Sequence, residues 1–232
     1  MTGTLYGVGV GPGDPELITL KAVRVLRDSP VVAYPAPIDG DSKARGIAAA
    51  HIPAGKTEIA IRLPFTPERG DTEDRYAAAA DALCAHLAEG RDVALLCLGD
   101  PLFYGTFAHL LPRIAGKFPV HVVPGVTAIA AASAAATLPS AIQDETLAVI
   151  PATLDEAALE EKIGSADSAA VIKIGRHFAK LKRVIEKLGL SDRARYVEYA
   201  AMGRERIAPL AEVEAASAEY FALVIIRKGT RT

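Results

Sequence analysis

The chain of 232 residues has no tryptophan, only two cysteines and five histidines, and its charges nearly cancel, at a formal −2. Near neutrality argues against nucleic acid as the main partner, because such proteins carry a strongly basic footprint. Cys84 lies in a helical pattern and Cys97 in an apolar strand. Both are expected as buried thiols of a reducing cytosol, and nothing asks for a disulfide. His51, His86, His109, His121 and His177 are scattered, with no zinc-like spacing among themselves or with the cysteines. A charged start followed by a secretory-length apolar run is missing. The longest apolar run, 126–138, is rich in alanine, contains Thr and Ser, and is closed by Pro139. A bilayer takes roughly 20 residues to cross, so this run reads instead as a buried core helix. The expectation is a soluble, cytoplasmic protein with no membrane and no nucleic-acid partner.

What the chain does have is apolar residues, 50% of the total, and enough length to bury a real core. In the first half, strands are expected at 4–10, 30–34, 58–63, 92–98 and 120–123, alternating with helices at 15–27, 42–50, 72–88 and 103–115. The strands are continuous Val/Leu/Ile runs, as in a parallel sheet covered on both faces. In the helix at 72–88, Tyr76, Ala80, Leu83 and Leu87 recur at i, i+4, i+7 and i+11, one core-facing stripe, with Asp71 or Thr72 as its cap. After Pro124-Gly125 the texture changes. Strands at 147–150, 169–174, 195–199 and 221–227 and helices at 155–163 and 178–188 suggest a mixed sheet, with 203–213 open between strand and loop. The expected domains are 1–124 and 125–232.

Two turns stand out. Residues 7–13 hold four glycines, at 7, 9, 11 and 13, between an apolar strand and Asp14-Pro15, an N-cap followed by a proline suited to the first helical position. At 93–105 a second apolar strand runs into Gly99-Asp100-Pro101 and another helical pattern. Such strand–loop–helix turns expose backbone N–H groups at strand carboxyl ends, where α/β proteins bind ligands. Neither register of the first loop fits Gly-x-Gly-x-x-Gly: the third glycine falls on Pro12 or Asp14. The acidic residue expected after the second strand is also missing, which ranks a nicotinamide reductase last. No Walker Gly-Lys-Ser/Thr and no Gly-x-Ser-x-Gly elbow occur. Asp39 and Asp41 read as a solvated turn. Lys43, Arg45, Arg62, Lys173, Arg176, Arg204 and Arg206 are cations near strand ends or loops that suit carboxylates.

Three blocks together resemble the tetrapyrrole methylase family. They are Val-Gly-Val-Gly-Pro-Gly-Asp-Pro at 8–15, Gly-Asp-Pro-Leu-Phe-Tyr-Gly at 99–105 and Val-Val-Pro-Gly-Val-Thr-Ala at 122–128. Finer features are Tyr-Pro-Ala-Pro at 34–37, Gly-Arg-His at 175–177 and Ala-Met-Gly at 201–203. These look like the branch of the family that methylates C20 of precorrin-2. The resemblance implies two α/β domains, a mostly parallel N-terminal sheet and a mixed C-terminal sheet, with the active site in the interdomain cleft. It further implies a homodimer, S-adenosyl-L-methionine as cofactor and a tetrapyrrole, precorrin-2, as substrate. By motif, Pro12, Leu98, Gly99, Asp100, Phe103, Tyr104, Thr127, Ala128, Ile174 and Ala200 are the expected cofactor-binding positions. Tyr104 and Asp100 are the expected catalytic side chains, and no metal is expected. The competing readings are a cobalt-loaded form of the same substrate and a non-enzymatic sensor that binds S-adenosylmethionine or a nucleotide.

Overall fold

The computed structural model describes residues 1–64, 70–214 and 218–229, with the side chains of Gly70 and Asp71 outside the description. The chain divides into two compact units, Met1–Thr127 and Ala128–Thr232.

In the first unit, β1 (Leu5–Gly9), β2 (Val31–Pro37), β3 (Thr57–Leu63), β4 (Val93–Cys97) and β5 (Val120–Val123) form one sheet in the order β3-β2-β4-β1-β5. Every neighbouring pair is parallel. Helices α1 (Leu20–Asp28), α2 (Lys43–Ala48), α3 (Gly70–Ala88) and α4 (Phe107–Ile114) cover it. Successive residues of β4 feed opposite faces, as the two-residue period of a strand requires. Val93, Leu95 and Cys97 pack with Leu83 and Leu87 of α3 and with Phe107 and Leu110 of α4. Ala94 and Leu96 pack with Val25 and Leu26 of α1 and with Ala44 and Ile47 of α2. Burial on both sides explains why these strands read as unbroken apolar runs. The stripe Tyr76, Ala80, Leu83 and Leu87 is buried as its spacing predicts.

Local chemistry shifts several boundaries. Asp14 does cap, accepting the Glu16 N–H at 2.9 Å with Pro15 first in the turn, but Pro15–Leu17 is only a 3-10 turn. The expected helix at 15–27 is interrupted at Ile18 and Thr19, both extended, and restarts at Leu20. The Thr19 hydroxyl accepts the Ala22 N–H at 3.1 Å, and a β-branched residue with a cap-forming hydroxyl favours that boundary over a helix interior. Asp71 and Thr72 fall inside the first turn of α3 rather than before it, because the helix begins at Gly70. The helix expected at 103–115 begins at Phe107, since Tyr104 has a left-handed φ of +56°, which an α-helix does not accommodate. Cys97 is buried but Cys84 is only half-buried, one position off the α3 stripe, and both thiols are free.

The second unit holds β6 (Leu147–Pro151), β7 (Ser168–Ile172), β8 (Ala194–Glu198), β9 (Arg206–Pro209) and β10 (Ala222–Arg227) in the order β6-β7-β10-β8-β9. Only the β6–β7 pair is parallel, so the sheet is mixed. The open stretch at 203–213 becomes β9 and a 3-10 turn at Leu210–Glu212. Helices α6 (Glu156–Ser165) and α7 (Phe178–Lys187) cover one face through Leu159, Ile163, Phe178 and Leu181. Helix α5 (Ala128–Ala135) covers the other through Ile129, Ala131 and Ala132. It is shorter than the run 126–138 and is not wholly buried, for Ala128, Ala130 and Ala134 are exposed. Alanine has so little apolar surface that exposing one side of the helix costs little. Among the described residues, no helix is long and apolar enough to cross a membrane.

A buried ion pair ties down the long connection between α5 and β6. Arg227, the last residue of β10, lies 3.0 Å from Glu145, and both side chains are at most 10% exposed. The guanidinium also donates to the Pro139 carbonyl at 3.1 Å, while Glu145 accepts the Ile142 N–H at 2.9 Å. Glu145→Ala leaves a guanidinium in a nearly dry site without its carboxylate. A loss of about 3 kcal/mol in unfolding free energy is expected from chemical denaturation. Replacing both residues together by Met is expected to recover part of it.

Candidate functional site

Connections from two neighbouring strands leave in opposite directions. From β1 the chain crosses by α1 to β2, towards one edge of the sheet, and from β4 it crosses by α4 to β5, towards the other. The carboxyl ends of β1 and β4 thus form a topological switch point, the place where open α/β sheets hold ligands. Both glycine turns begin there.

The turns are joined directly. Gly11 N–H donates to the Gly99 carbonyl at 3.3 Å and Gly99 N–H donates to the Gly11 carbonyl at 2.8 Å. Gly125, after β5, completes the floor. A Cβ on Gly9 would come 2.5 Å from the Gly125 nitrogen and 2.7 Å from the Gly99 oxygen. A Cβ on Gly125 would run into the Gly99 carbonyl and reach 2.8 Å from the Gly9 Cα. No side chain fits between these strand ends, so main chain packs on main chain. Gly99 differs: its φ is +68°, and an added Cβ would meet only ordinary contacts at 3.8 Å and beyond, from Val126 and Thr127.

Asp100 locks the arrangement. One carboxylate oxygen accepts the Leu102 N–H at 2.9 Å, closing its own turn, and the other accepts the Gly125 N–H at 3.0 Å. A single side chain thus connects the β4 turn to the β5 turn. Next to it, Leu102, Phe103 and Tyr104 are 55%, 37% and 49% exposed, with the last two rings edge to face at 5.2 Å. Three large apolar residues facing solvent on one turn, with Tyr104 in a left-handed conformation, are a costly local choice of the kind found at binding sites. Cys97, the last residue of β4, takes no part: burial pushes its thiol up to about 12, so it stays protonated.

Within the first unit, then, the structure brings together the turns carrying Pro12, which is buried, Leu98, half-buried, Gly99, Asp100 and Thr127. Ile174 and Ala200 belong to the second unit. Each follows the carboxyl end of a strand, β7 and β8, and these two run the same way because both are antiparallel to β10. The Ile174 side chain is spent in the core under α7 and that of Ala200 under α5. Only their main chains are left for a ligand. Ala128 is the exposed first residue of α5. Sequence reasoning passed over the mutual packing of Gly9 and Gly125, whose only trace was the glycines themselves. It also passed over the left-handed residues beside Ile174 and Ala200: Lys173 at +56°, Tyr199 at +52° and Ala201 at +58°. Several expected cations turn out to hold the fold. Arg45 forks onto Glu58 with two 3.0 Å bonds, Arg62 donates to the Pro37 and Gly40 carbonyls, and Arg206 pairs with Glu198 at 3.7 Å.

The family model for tetrapyrrole (corrin/porphyrin) methylases matches residues 4–214. The chain belongs to this family. Among tetrapyrrole methylases of known sequence, it is 42% identical to the cobalamin biosynthesis protein CobIJ of Mycobacterium tuberculosis over 99% of its own length and 47% of that protein's. The chain therefore spans about half the length of the first curated relatives it matches. It is 39% identical to a precorrin-2 C(20)-methyltransferase of Sinorhizobium, covering 97% of this chain and 95% of that one. Identity to the cobalt-precorrin-2 C(20)-methyltransferase of Salmonella typhimurium is 32%, over 98% of both. Among solved tetrapyrrole methylases, cobalt precorrin-4 methyltransferase CbiF superposes with a TM-score of 0.77 at 22% identity, over 97% of this chain and 94% of that one, a likeness of fold. Uroporphyrin-III C-methyltransferase of Thermus thermophilus, solved with S-adenosyl homocysteine, gives 0.69 at 26%, over 97% of this chain and 98% of that one.

Two variants test the floor. Gly125→Ala is expected to lower the unfolding free energy by about 2 kcal/mol and to weaken binding of S-adenosylhomocysteine, because backbone must move to admit a methyl. Gly164→Ala in α6, where a Cβ meets nothing within 4 Å, serves as the neutral control. Asp100→Ala frees two backbone N–H groups. It is expected to cost about 2 kcal/mol by denaturation and to weaken the same ligand by calorimetry, with Asp100→Asn intermediate.

Proposed function

We propose that this chain transfers the methyl group of S-adenosylmethionine to C20 of precorrin-2, giving precorrin-3A in cobalamin biosynthesis. The observation that carries the reading is the end-to-end likeness to the Sinorhizobium precorrin-2 C(20)-methyltransferase, at 39% identity. The architecture of the strand ends supports it. A floor of main chain with no intervening side chains, an exposed apolar rim and a carboxylate held on two N–H groups suit an adenosyl group that bears a sulfonium. Carbonyl dipoles and aromatic faces favour such a cation without a free carboxylate beside it.

In this reading Gly99, Leu98 and Thr127 hold the cofactor against the floor, joined by Pro12 and Ala128 and by the main chain at Ile174 and Ala200. Phe103 and Tyr104 shield the reacting atoms from water. When bound, S-adenosylmethionine supplies an electrophilic methyl whose S–C bond breaks with its electron pair left on sulfur. The chain's contribution is alignment of donor and acceptor, worth on the order of 7–11 kcal/mol where it is fully achieved. As C20 gains its bond to the methyl carbon it gives up a proton, for which Tyr104 is the proposed carrier. Asp100 serves the reaction by fixing the Gly125 and Leu102 turns. The setting proposed is the cytoplasm, as the sequence reading expects, and the assembly a homodimer, which follows from the family resemblance.

A second reading, transfer to the cobalt-loaded form, is favoured by the full-length match to the Salmonella enzyme. Incubating the purified protein anaerobically with S-adenosylmethionine and precorrin-2 is expected to yield a product heavier by one methyl in exchange for one hydrogen. Product from the cobalt-loaded substrate alone moves the assignment to the second reading. Ligand binding by calorimetry with no transfer to either substrate overturns both in favour of a sensor.

A further inference from the structure

After β8 the chain builds a hydrogen-bonded platform that ends in an arginine, Arg204, stacked on a tyrosine ring. Tyr199 is buried, and its N–H donates to the Phe221 carbonyl at 2.8 Å. Its hydroxyl donates to Glu219 at 2.7 Å. Burial, and then that carboxylate, push the phenol above its usual value, so it stays neutral. Tyr199 and Ala201 both have left-handed backbone. Between them and Glu205 the turn is tied by Met202 N–H to the Tyr199 carbonyl at 2.8 Å and by Ala201 N–H to the Glu205 carboxylate at 2.6 Å. Two non-glycine residues in this conformation within three positions are strained, and the bonds around them hold the strain in place.

On this platform the Arg204 guanidinium carbon sits 3.6 Å from the Tyr199 ring centroid, a stacking distance. A guanidinium held over a ring keeps its planar set of N–H donors, a fork whose shape matches a carboxylate. The acids nearby are each committed elsewhere. Glu198 accepts from the Tyr196 hydroxyl at 2.6 Å and pairs with Arg206, Glu205 holds Ala201, and Glu219 holds Tyr199. Among the described residues, Arg204 forms no ion pair within 4.0 Å. Arg204 follows the carboxyl end of β8, and Lys173 and the exposed Arg176 follow the carboxyl end of β7, which runs the same way.

We infer that Arg204, stacked on Tyr199, is a binding residue for a carboxylate of the reacting pair. This rests on the methyltransferase reading above. The carboxylate belongs either to a side chain of the tetrapyrrole or to the methionine end of the cofactor. The test compares wild type with Arg204→Met and Arg204→Lys in steady-state transfer to precorrin-2 and in calorimetry with S-adenosylhomocysteine. Thermal midpoints are expected to agree closely, since Arg204 is exposed. Arg204→Met is expected to raise KM for precorrin-2 by at least about tenfold with kcat little changed, and Arg204→Lys by less, since it keeps the charge and loses the planar fork. A comparable loss in S-adenosylhomocysteine affinity instead assigns the carboxylate to the cofactor. Unchanged KM and affinity in an active protein overturn the inference and leave the function standing. A wild type that transfers no methyl to precorrin-2 or its cobalt form overturns the function, and the binding role with it.

Discussion

Where β1, β4 and β5 end, main chain rests on main chain. The paired hydrogen bonds between Gly11 and Gly99 and the contact of Gly9 with Gly125 draw three parallel strands closer than any side chain allows. Much else follows from that approach. It sets the direction in which the β4 turn leaves and brings Asp100 within reach of the Gly125 N–H. It also turns Leu102, Phe103 and Tyr104 outward rather than into the core. A side chain on Gly9 or Gly125 would collide with that backbone.

Asp100 shows how one residue serves two levels. In its own turn it is a cap, the commonplace duty of an Asp before a Pro. Its second oxygen reaches another strand's turn, so the same carboxylate couples two loops that sequence separates by 25 residues. A carboxylate with both oxygens on backbone N–H groups is well placed as a brace. That suits a reaction in which the donor is already activated and the protein's task is to align and to exclude water.

The second unit repeats the logic with different residues. Its strand ends have no glycine floor. Instead Lys173, Tyr199 and Ala201 take left-handed backbone without glycine's freedom, and hydrogen bonds to Glu219 and Glu205 hold Tyr199 and Ala201. One unit brings its strand ends together by removing side chains. The other offers chemistry by fixing one, with an aromatic ring as the support for a guanidinium.

Read alone, the sequence already determined the strand and helix alternation, the α3 stripe, the cap at Asp14 and the family, because each depends on residues close in the chain or on spacing. Continuous apolar runs foretold a sheet buried on both sides. The break at Ile18–Thr19 is local too, since the Thr19 hydroxyl caps Ala22 three residues on; tertiary structure decided the late start of α4, where Tyr104 is held left-handed. It also decided that Gly9 needs Gly125 and that Arg45, Arg62 and Arg206 hold the fold by pairing while Arg204 stacks on Tyr199. These outcomes hinge on which atoms from distant segments arrive within about 3 Å of one another, and no local pattern carries that information.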